Sequence, residues 1–326
     1  MTFITHLCRM DNMTQLNRQI LPLYEWMNAA PEIDTLSLNE LTLPGTHNAG
    51  CDLEADYSNV FTRNWFACQD VSFYSQLNRG ARALDVRLVY NPHANGLEKF
   101  RFVHDKTWSS RTLADLIRDI KAFLERSFNE FIILDFHKIE HGAEPFDFKY
   151  FNEVMKVQLG EHIIPTGNRH LTLGQLKDVS RLQRVLVTGP ANRHLDRTVF
   201  GAQITHQWAG SDFLKVVGDT LEQIAQPQHT RLQAFIARVL AEPPEKSAPW
   251  SLSAAIYDAG GPVRMLDQLD TWFDPDNSDW AEKCSIINFD FIKNSKLVYF
   301  CYQANIKKAF EKSRGHSSYI LRHSNS

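Results

Sequence analysis

Two histidines and an arginine stand at the ends of short apolar runs in this chain, close to acidic residues. His47 lies in LPGTHNAG, Asp85 and Arg87 lie in LDVRLVY, and His104 lies in RFVHDKTW. One imidazole can take up a proton while a second gives one, and a fixed guanidinium can hold a phosphate between them. These residue types therefore predict cleavage of a phosphodiester by two-histidine acid–base catalysis.

Polar residues also interrupt apolar runs later in the chain. Asp135 and His137 stand two positions apart in FIILDFHKI, and Asp290 is the single carboxylate in IINFDFI. In a strand, a two-residue spacing places both side chains on one face, and the same holds for Asp85 and Arg87. Charges inside a barrel are costly unless they are paired or bound to a ligand, so the pattern indicates a site or structural ion pairs.

The apolar runs alternate with amphipathic helical patterns along the 326 residues. We count about eight predicted strands, most of them followed by a helix, and no Gly-rich phosphate motif follows any of them. The pattern favours an α/β fold, a distorted (β/α)8 TIM barrel, in which catalytic groups lie where strands end and loops begin. We predict a single barrel domain over residues 31–326, preceded by an N-terminal helical extension over residues 1–30.

Local signals indicate where some elements begin and end. Pro44-Gly45 predicts a turn that projects His47 from the end of a strand. Thr112 is the predicted cap of the helix in TLADLIRDIKAFLERSF. Further helices are predicted from Asp212 to Leu240 and from about Ser295 to Lys312.

Composition excludes several classes of protein. The chain is 43% hydrophobic and 22% charged with a formal charge of -3, so no global charge attracts it to nucleic acid or to anionic membranes.

Its five cysteines are odd in number and lack CxxC spacing, which favours reduced thiols. We find no signal peptide and no apolar run long enough to span a membrane. We therefore expect a cytoplasmic monomer, with export lacking a cleaved signal as the alternative.

The order of four motifs resembles a known family. LPGTHNAG, SFYSQLNRGARALDVRL, FVHDKTW and FIILDFHKI follow one another as in the X-domain of phosphatidylinositol-specific phospholipases C. The similarity is greatest to the bacterial enzymes and the small X-domain-only proteins, and its motifs extend from Leu41 to Ile139. The resemblance implies a distorted TIM barrel that cleaves phosphatidylinositol to diacylglycerol and an inositol (cyclic) phosphate, meeting the lipid headgroup at a membrane surface.

The resemblance also implies a role for each candidate catalytic residue. His47 would be the general base on the inositol 2-hydroxyl, and His104 would be the general acid for the leaving glycerol oxygen. Arg87 would take the place of the calcium ion used by another branch of the family. Asp290 would orient the base, and Asp85 would hold Arg87 or ligate a metal.

Other residues would contact the substrate or, alternatively, a metal. The expected substrate-binding residues are Asn48, Asp135, His137 and Arg193. In the calcium-dependent branch an Asn follows the first histidine and ligates the metal, so Asn48, Asp85 and Asp135 are the calcium ligands if one binds. Arg87 would stand among these oxygens and repel a cation. We therefore expect no metal or other cofactor, with calcium as the alternative.

Aromatic residues near predicted strand ends could insert into a lipid headgroup region. These residues are Trp65, Phe66, Trp108, Trp208, Trp272 and Phe273. The chain has no cluster of Lys or Arg that would bind anionic lipid tightly, so we expect weak and transient membrane contact.

Two other functions are compatible with a barrel of this kind. One is a related phosphodiesterase that acts on glycerophosphodiesters or sphingolipids, although such enzymes usually carry a Glu-x-Asp metal pair where this chain has LDVR. The other is a catalytically degenerate module that only binds phosphoinositides or a protein. The presence of His47 and His104 together with Arg87 and Asp290 argues against a degenerate module.

Overall fold

A curled parallel sheet lies at the centre of the protein. The computed structural model describes residues 21–57, 62–209, 228–245, 247–258 and 260–323. Within these ranges the strands are β1 (Leu43–Thr46), β2 (Ala83–Tyr90), β3 (Phe100–His104), β4 (Thr107–Thr112), β5 (Ile132–Glu140), β6 (Val185–Thr188), β7 (Thr205–Gln207), β8 (Trp250–Ser253), β9 (Tyr257–Asp258), β10 (Gly261–Pro262) and β11 (Ile286–Phe289). The helices of the same ranges are α1 (Arg63–Phe66), α2 (Phe73–Asn78), α3 (Leu113–Arg126), α4 (Phe148–Leu159), α5 (Leu173–Val179), α6 (Gln228–Ala241), α7 (Leu266–Phe273), α8 (Trp280–Lys283) and α9 (Leu297–His323).

Seven of the described strands run parallel in the spatial order β6-β5-β2-β1-β11-β8-β7. Their curvature gives a TIM-barrel-like half-barrel, which confirms the predicted α/β fold. The run FRFVHD departs from the prediction, because it forms β3, which pairs antiparallel with β2 and β4. A tight turn, with Asp105 at a φ of 51°, returns the chain at once into β4 and leaves no room for a parallel crossover.

The sheet is open at one seam. Among the described residues no ladder joins β6 to β7, and a single parallel bridge between Thr188 and Gly201 lies nearby. Side chains span this seam instead. Asp135 of β5 accepts a hydrogen bond from Thr188 Oγ1 of β6 at 3.2 Å, and its other oxygen lies 2.6 Å from His206 Nε2 of β7.

The parallel strands are buried on both faces, as their continuous apolar runs require. All five residues from Ile132 to Phe136 are buried, for example. Helix α3 covers the sheet with a single apolar face and begins at a capping box. In this box the Thr112 side chain accepts a hydrogen bond from the backbone N–H of Asp115, and the Asp115 side chain accepts one from the backbone N–H of Thr112. The predicted cap and helix are thus confirmed.

A buried ion pair lies at the opposite end of the barrel from the carboxyl ends of the strands. Arg82 and Glu130 are both fully buried, and Arg82 Nε donates to Glu130 Oε2 at 2.8 Å. Glu130 also accepts the backbone amides of Met27 and Asn28, at 3.2 and 2.8 Å. The segment before residue 31 therefore packs into the barrel where it is described. The domain boundary at residue 30 stays a prediction.

Two predicted helices differ in extent from the observed ones. The helix predicted from Asp212 to Leu240 lies partly outside the described residues, which show α6 over Gln228–Ala241. The final helix, α9, is longer than predicted. No helix of the described ranges combines the length and apolar character that crossing a membrane requires.

The described cysteines are free thiols in the interior, namely Cys51, Cys68, Cys284 and Cys301. Cys8 lies outside the described residues. Reduced thiols are what the scattered spacing of these residues predicts.

Candidate active site

His47 and Asp290 meet because the strands that precede them are neighbours. His47 follows β1 directly and Asp290 follows β11, and these strands pair in parallel with Thr46 opposite Phe289. His47 Nδ1 lies 2.8 Å from Asp290 Oδ1. Because a carboxylate accepts hydrogen bonds, Nδ1 carries the proton and donates it, which leaves Nε2 free to accept one.

The predicted Pro44-Gly45 turn is wrong, because both residues lie inside β1. Gly45 is needed there for close packing. A Cβ atom at this position would lie 2.6 Å from the side chain of Ile286 in β11. The small residue thus allows the close approach of β1 to β11 that brings His47 and Asp290 together.

Asp85 and Arg87 form a two-point ion pair on the inner face of β2. Arg87 Nε donates to Asp85 Oδ1 at 3.1 Å and Nη2 donates to Oδ2 at 2.8 Å, while Asp85 Oδ2 lies 4.0 Å from His47 Nε2. Burial alone would raise the pKa of Asp85, but the charge of Arg87 and the nearby His137 and His47 hold that pKa well below its usual range. Both partners are therefore charged, and the guanidinium is fixed beside the base.

His104 faces His47 from the end of β3. Their ring centroids are 6.4 Å apart with the rings nearly perpendicular. His104 Nδ1 lies 2.8 Å from the carbonyl oxygen of Phe66, which can only accept, so Nδ1 donates and Nε2 is available for chemistry. Each imidazole is thus oriented by a separate acceptor, and one substrate group can contact both.

The environment of His104 disfavours its charged form in the empty site. Burial lowers its pKa to about 4, the hydrogen bond to Phe66 opposes this change, and the neighbouring His47 adds to it. An anionic phosphate next to the ring would shift the pKa back upward. The ring would therefore gain a proton when an anion binds beside it.

We expect acid to destabilise the folded protein through His104. The pKa of this residue falls from 6.5 to about 4 on folding, so between these pH values the unfolded chain binds more protons and folded stability decreases as pH falls. The loss at pH 4 relative to pH 7 should be on the order of 3 kcal/mol. Urea unfolding of the wild type and His104→Gln at both pH values measures it. Equal pH dependence in the two proteins would contradict the low pKa.

Tyr257 and Cys68 complete the wall around the two histidines, and the sequence interpretation missed both. Tyr257 Oη lies 3.0 Å from Cys68 Sγ and 3.5 Å from His47 Nδ1, and Cys68 Sγ lies 3.6 Å from His104 Nδ1. Burial raises the pKa of Tyr257 well above its usual value, so the phenol is neutral. The hairpin of β9 and β10 positions Tyr257, and no periodic pattern in the sequence marks it.

Asn48 presents an unsatisfied amide to this group. Its backbone adopts the left-handed region with a φ of 46°, and its N–H donates to Asp85 Oδ2 at 3.2 Å. Neither Nδ2 nor Oδ1 of its buried side chain has a hydrogen-bond partner in the described structure. Since buried polar groups are normally satisfied, the amide is suited to contact a ligand.

A second cluster, formed by Asp135, His137 and His206, lies on β5 and β7. Its two imidazole rings are 3.9 Å apart between centroids and tilted by 40°. Burial lowers the pKa of His137. Burial acts in the same direction on His206, but the hydrogen bond to Asp135 and the charges of Asp135 and Asp85 together outweigh it and raise the pKa of His206. The sequence interpretation included the first two residues and missed His206, which only the approach of β7 across the open seam brings close.

The alternative calcium ligands are Asn48, Asp85 and Asp135, and their positions do not suit a calcium ion. Both carboxylate oxygens of Asp85 accept hydrogen bonds from Arg87. Calcium requires six to eight oxygen ligands, and the Arg87 charge lies where they would converge. The expectation of no cofactor stays a prediction.

Comparison with known proteins finds similar sequences and similar folds. No protein-family model matches the chain. Over 125 residues it is 27% identical to a 1-phosphatidylinositol phosphodiesterase of Listeria monocytogenes, covering 38% of this chain and 36% of the relative. It is 40% identical over 78 residues to a variant-surface-glycoprotein phospholipase C of Trypanosoma cruzi, covering 23% and 20%. It is 25% identical over 167 residues to the human PI-PLC X domain-containing protein 3, covering 44% and 51%.

Solved structures share the fold at low sequence identity. The F249X mutant of the phosphatidylinositol-specific phospholipase C from Staphylococcus aureus matches with a TM-score of 0.65 at 15% identity, covering 87% of this chain and 98% of that one. The Listeria monocytogenes enzyme matches with a TM-score of 0.63 at 16% identity over the same shares. The chain is thus similar in part of its sequence to phosphatidylinositol-specific phospholipases C and PI-PLC X domain-containing proteins, and it shares the fold of the bacterial phospholipases C. It spans about half or less of the length of the curated relatives named above.

Arg193 does not join the site, contrary to expectation. Its side chain is exposed, and Nε donates to the adjacent His194 at 3.3 Å. The loop packs on the outside of the barrel, where Asn152 of α4 donates to the His194 carbonyl at 2.8 Å. Closeness to the end of β6 in sequence therefore does not place Arg193 near the catalytic pair.

The aromatic residues expected to meet a lipid surface divide into exposed and buried groups. Trp65 is 56% exposed, Trp208 is 52% exposed, and Trp108 is also exposed. Trp208 directly follows β7, Trp108 is the second residue of β4, and Trp65 lies in α1, next to Phe66. The expectation is wrong for Trp272 and Phe273, which are buried because α7 turns its apolar face to the core. Phe66 is half-buried and contacts the His104 ring.

Proposed function

We propose that this protein cleaves phosphatidylinositol-type phospholipids to diacylglycerol and an inositol (cyclic) phosphate. The observation that carries the proposal is one buried group in which His47, oriented by Asp290, faces His104 beside the fixed pair of Arg87 and Asp85. Relatives named as phosphatidylinositol phosphodiesterase and phospholipase C support the same reaction class.

In the proposed first step His47 acts as the base. Its Nε2 accepts the proton of the inositol 2-hydroxyl while that oxygen attacks phosphorus. The Asp290 carboxylate on Nδ1 stabilises the imidazolium that forms. Because Nδ1 already carries a proton, the base enters the step in the required tautomer.

Arg87 and His104 would stabilise and complete the same step. The guanidinium contacts the non-bridging phosphate oxygens, where negative charge grows, and Asp85 keeps its planar group in place. His104 Nε2 gives a proton to the glycerol oxygen as its bond to phosphorus breaks, which releases diacylglycerol. Hydrolysis of the cyclic phosphate would reverse the two proton transfers, with water as the nucleophile.

Further residues would contact the headgroup. Asn48 offers an unpartnered amide next to Asp85, and His137 and Asp135 line the adjacent cluster. In this proposal no metal takes part in the reaction, because Arg87 supplies the positive charge.

The proposed substrate requires contact with a membrane surface, and the exposed tryptophans are suited to it. We expect Trp65→Ala combined with Trp208→Ala to weaken binding to phosphatidylinositol vesicles roughly tenfold, because two interfacial rings are lost. Phe128→Ala is the matched control, since this 60% exposed ring precedes β5 at the other end of the barrel. Vesicle sedimentation measures the affinities. An equal effect of the control would assign the contact to a different face.

The experiment that tests the function is hydrolysis of phosphatidylinositol vesicles with EDTA and with added calcium. We expect the wild type to release diacylglycerol in the presence of EDTA, and we expect the His47→Ala protein to release none. Activity only with calcium would contradict the role of Arg87. If the protein releases no diacylglycerol from vesicles but cleaves glycerophosphodiesters or sphingomyelin, its function is that of the related phosphodiesterases. Binding without cleavage of any of these substrates would favour a binding module.

A further inference from the structure

We propose that Asp135, His137 and His206 form a site for a divalent transition-metal ion of the zinc class. The three side chains come from β5 and β7, and each offers a ligand atom within 4.8 Å of the others. Imidazole nitrogens together with a carboxylate oxygen suit Zn²⁺, which binds three protein ligands and keeps a fourth position for water or another oxygen ligand. The site does not include His47 or His104, but it shares Asp135 and His137 with the proposed headgroup contacts, and binding of the ion does not require the proposed cleavage.

The backbone of β5 is shaped to bring His137 into this cluster. Asp135 stands opposite Asp85 in β2, and Phe136 stands opposite Val86, but Arg87 pairs with Lys138. His137 is therefore the extra residue of a β-bulge. Such bulges redirect a side chain and are common next to functional sites.

The bulged histidine has unused binding capacity. Its Nδ1 atom is buried and has no hydrogen-bond partner in the described structure. A buried polar atom without a partner is rare in folded proteins. A metal ion shared with Asp135 and His206 would satisfy the ring.

The remaining two ligands are already close together. His206 Nε2 lies 2.6 Å from Asp135 Oδ2, which is a hydrogen-bond distance, so metal binding would replace this bond with two coordinate bonds. The second oxygen of Asp135 contacts Thr188 Oγ1 at 3.2 Å and would hold the carboxylate in position. A bound ion would also link β5 to β7 across the open seam, and so it should raise the unfolding temperature.

A second group, His47 with Cys68 and Asp290, has similar ligand spacing. It is the weaker candidate, because burial raises the pKa of the Cys68 thiol well above its usual value and only a thiolate binds zinc well. The two sites can be told apart, since a thiolate ligand gives Co²⁺ a charge-transfer band in the near ultraviolet and a site of imidazoles and carboxylate does not.

The test is titration of the substrate-free protein with Zn²⁺ by calorimetry and with Co²⁺ by absorption. We expect one site per chain, no thiolate band and a higher unfolding temperature with metal. His206→Gln and His137→Gln should each weaken the affinity at least tenfold, because Gln keeps a polar side chain and loses the imidazole ligand. His93→Ala, which removes an exposed histidine, should bind as the wild type does.

Three outcomes would overturn the proposal. They are the absence of saturable Zn²⁺ binding in the wild type, equal affinity in the wild type and both Gln variants, and a thiolate band with Co²⁺. The wild-type spectrum decides the question even if a variant fails to fold. Because no lipid is present, failure here leaves phosphatidylinositol cleavage untouched, and failure of cleavage leaves this result valid.

Discussion

Replacing Asp290 with asparagine is expected to lower kcat/KM for phosphatidylinositol vesicles about 10²–10⁴-fold, nearly as far as replacing His47 with alanine. The carboxylate fixes the proton of His47 on Nδ1 and, in the proposed mechanism, stabilises the imidazolium that forms. A neutral amide cannot stabilise that charge, and where its nitrogen faces Nδ1 it forces the wrong tautomer on the base. Initial rates of diacylglycerol release measure the effect.

The double variant His47→Ala with Asp290→Asn provides the control. If the two residues act as one unit, combining the changes adds little to the loss caused by His47→Ala alone. Thermal unfolding of each variant shows that the fold is retained. A rate within threefold of the wild type for Asp290→Asn would show that this carboxylate does not orient the base.

The largest expected loss of stability follows from removing Glu130. We expect Glu130→Ala to lower the free energy of unfolding by about 3–5 kcal/mol, because Arg82 would remain charged and buried without its partner. The backbone amides of Met27 and Asn28 would lose their acceptor as well. Urea unfolding at pH 7 measures the change.

The matched control is another acidic residue in an ion pair, but at the surface. Asp279 lies 3.0 Å from Lys283 on α8, and more than half of its side chain is exposed. Asp279→Ala should cost less than about 1 kcal/mol. A similar loss in both variants would mean that burial does not determine the contribution of Glu130.

The geometry of the candidate site could be predicted largely from the sequence, because its members follow or lie in buried strands. His47 and Asp290 end neighbouring strands, so the barrel itself brings them together. Asp85 and Arg87 share one face of β2 through the two-residue period, and the structure pairs them. Both relations follow from the spacing of polar residues in the apolar runs, once a barrel of parallel strands is assumed.

The residues that sequence reasoning missed depend on contacts between distant segments. Tyr257 reaches the histidines through a short hairpin whose path has no periodic signal. His206 meets Asp135 only because β7 approaches β5 across the seam. The strand that ends at His104 looks the same in parallel and antiparallel sheets, so its direction could not be derived from an alternating pattern. Arg193 was wrongly predicted to join the site, because it is close in sequence to the end of β6 but lies in an exposed loop.

The open seam implies uneven protection against hydrogen exchange. Where no ladder joins β6 to β7 in the described ranges, Thr188, Asp135 and His206 hold the edges together through side chains. Strand β7 is held by a backbone ladder on one side only, to β8, so its separation should cost far less than global unfolding and its amide hydrogens should exchange by local opening. Any ligand that bridges Asp135 and His206 would slow that exchange. Deuterium uptake by Thr205–Gln207 would therefore show directly whether a ligand is bound between these two residues.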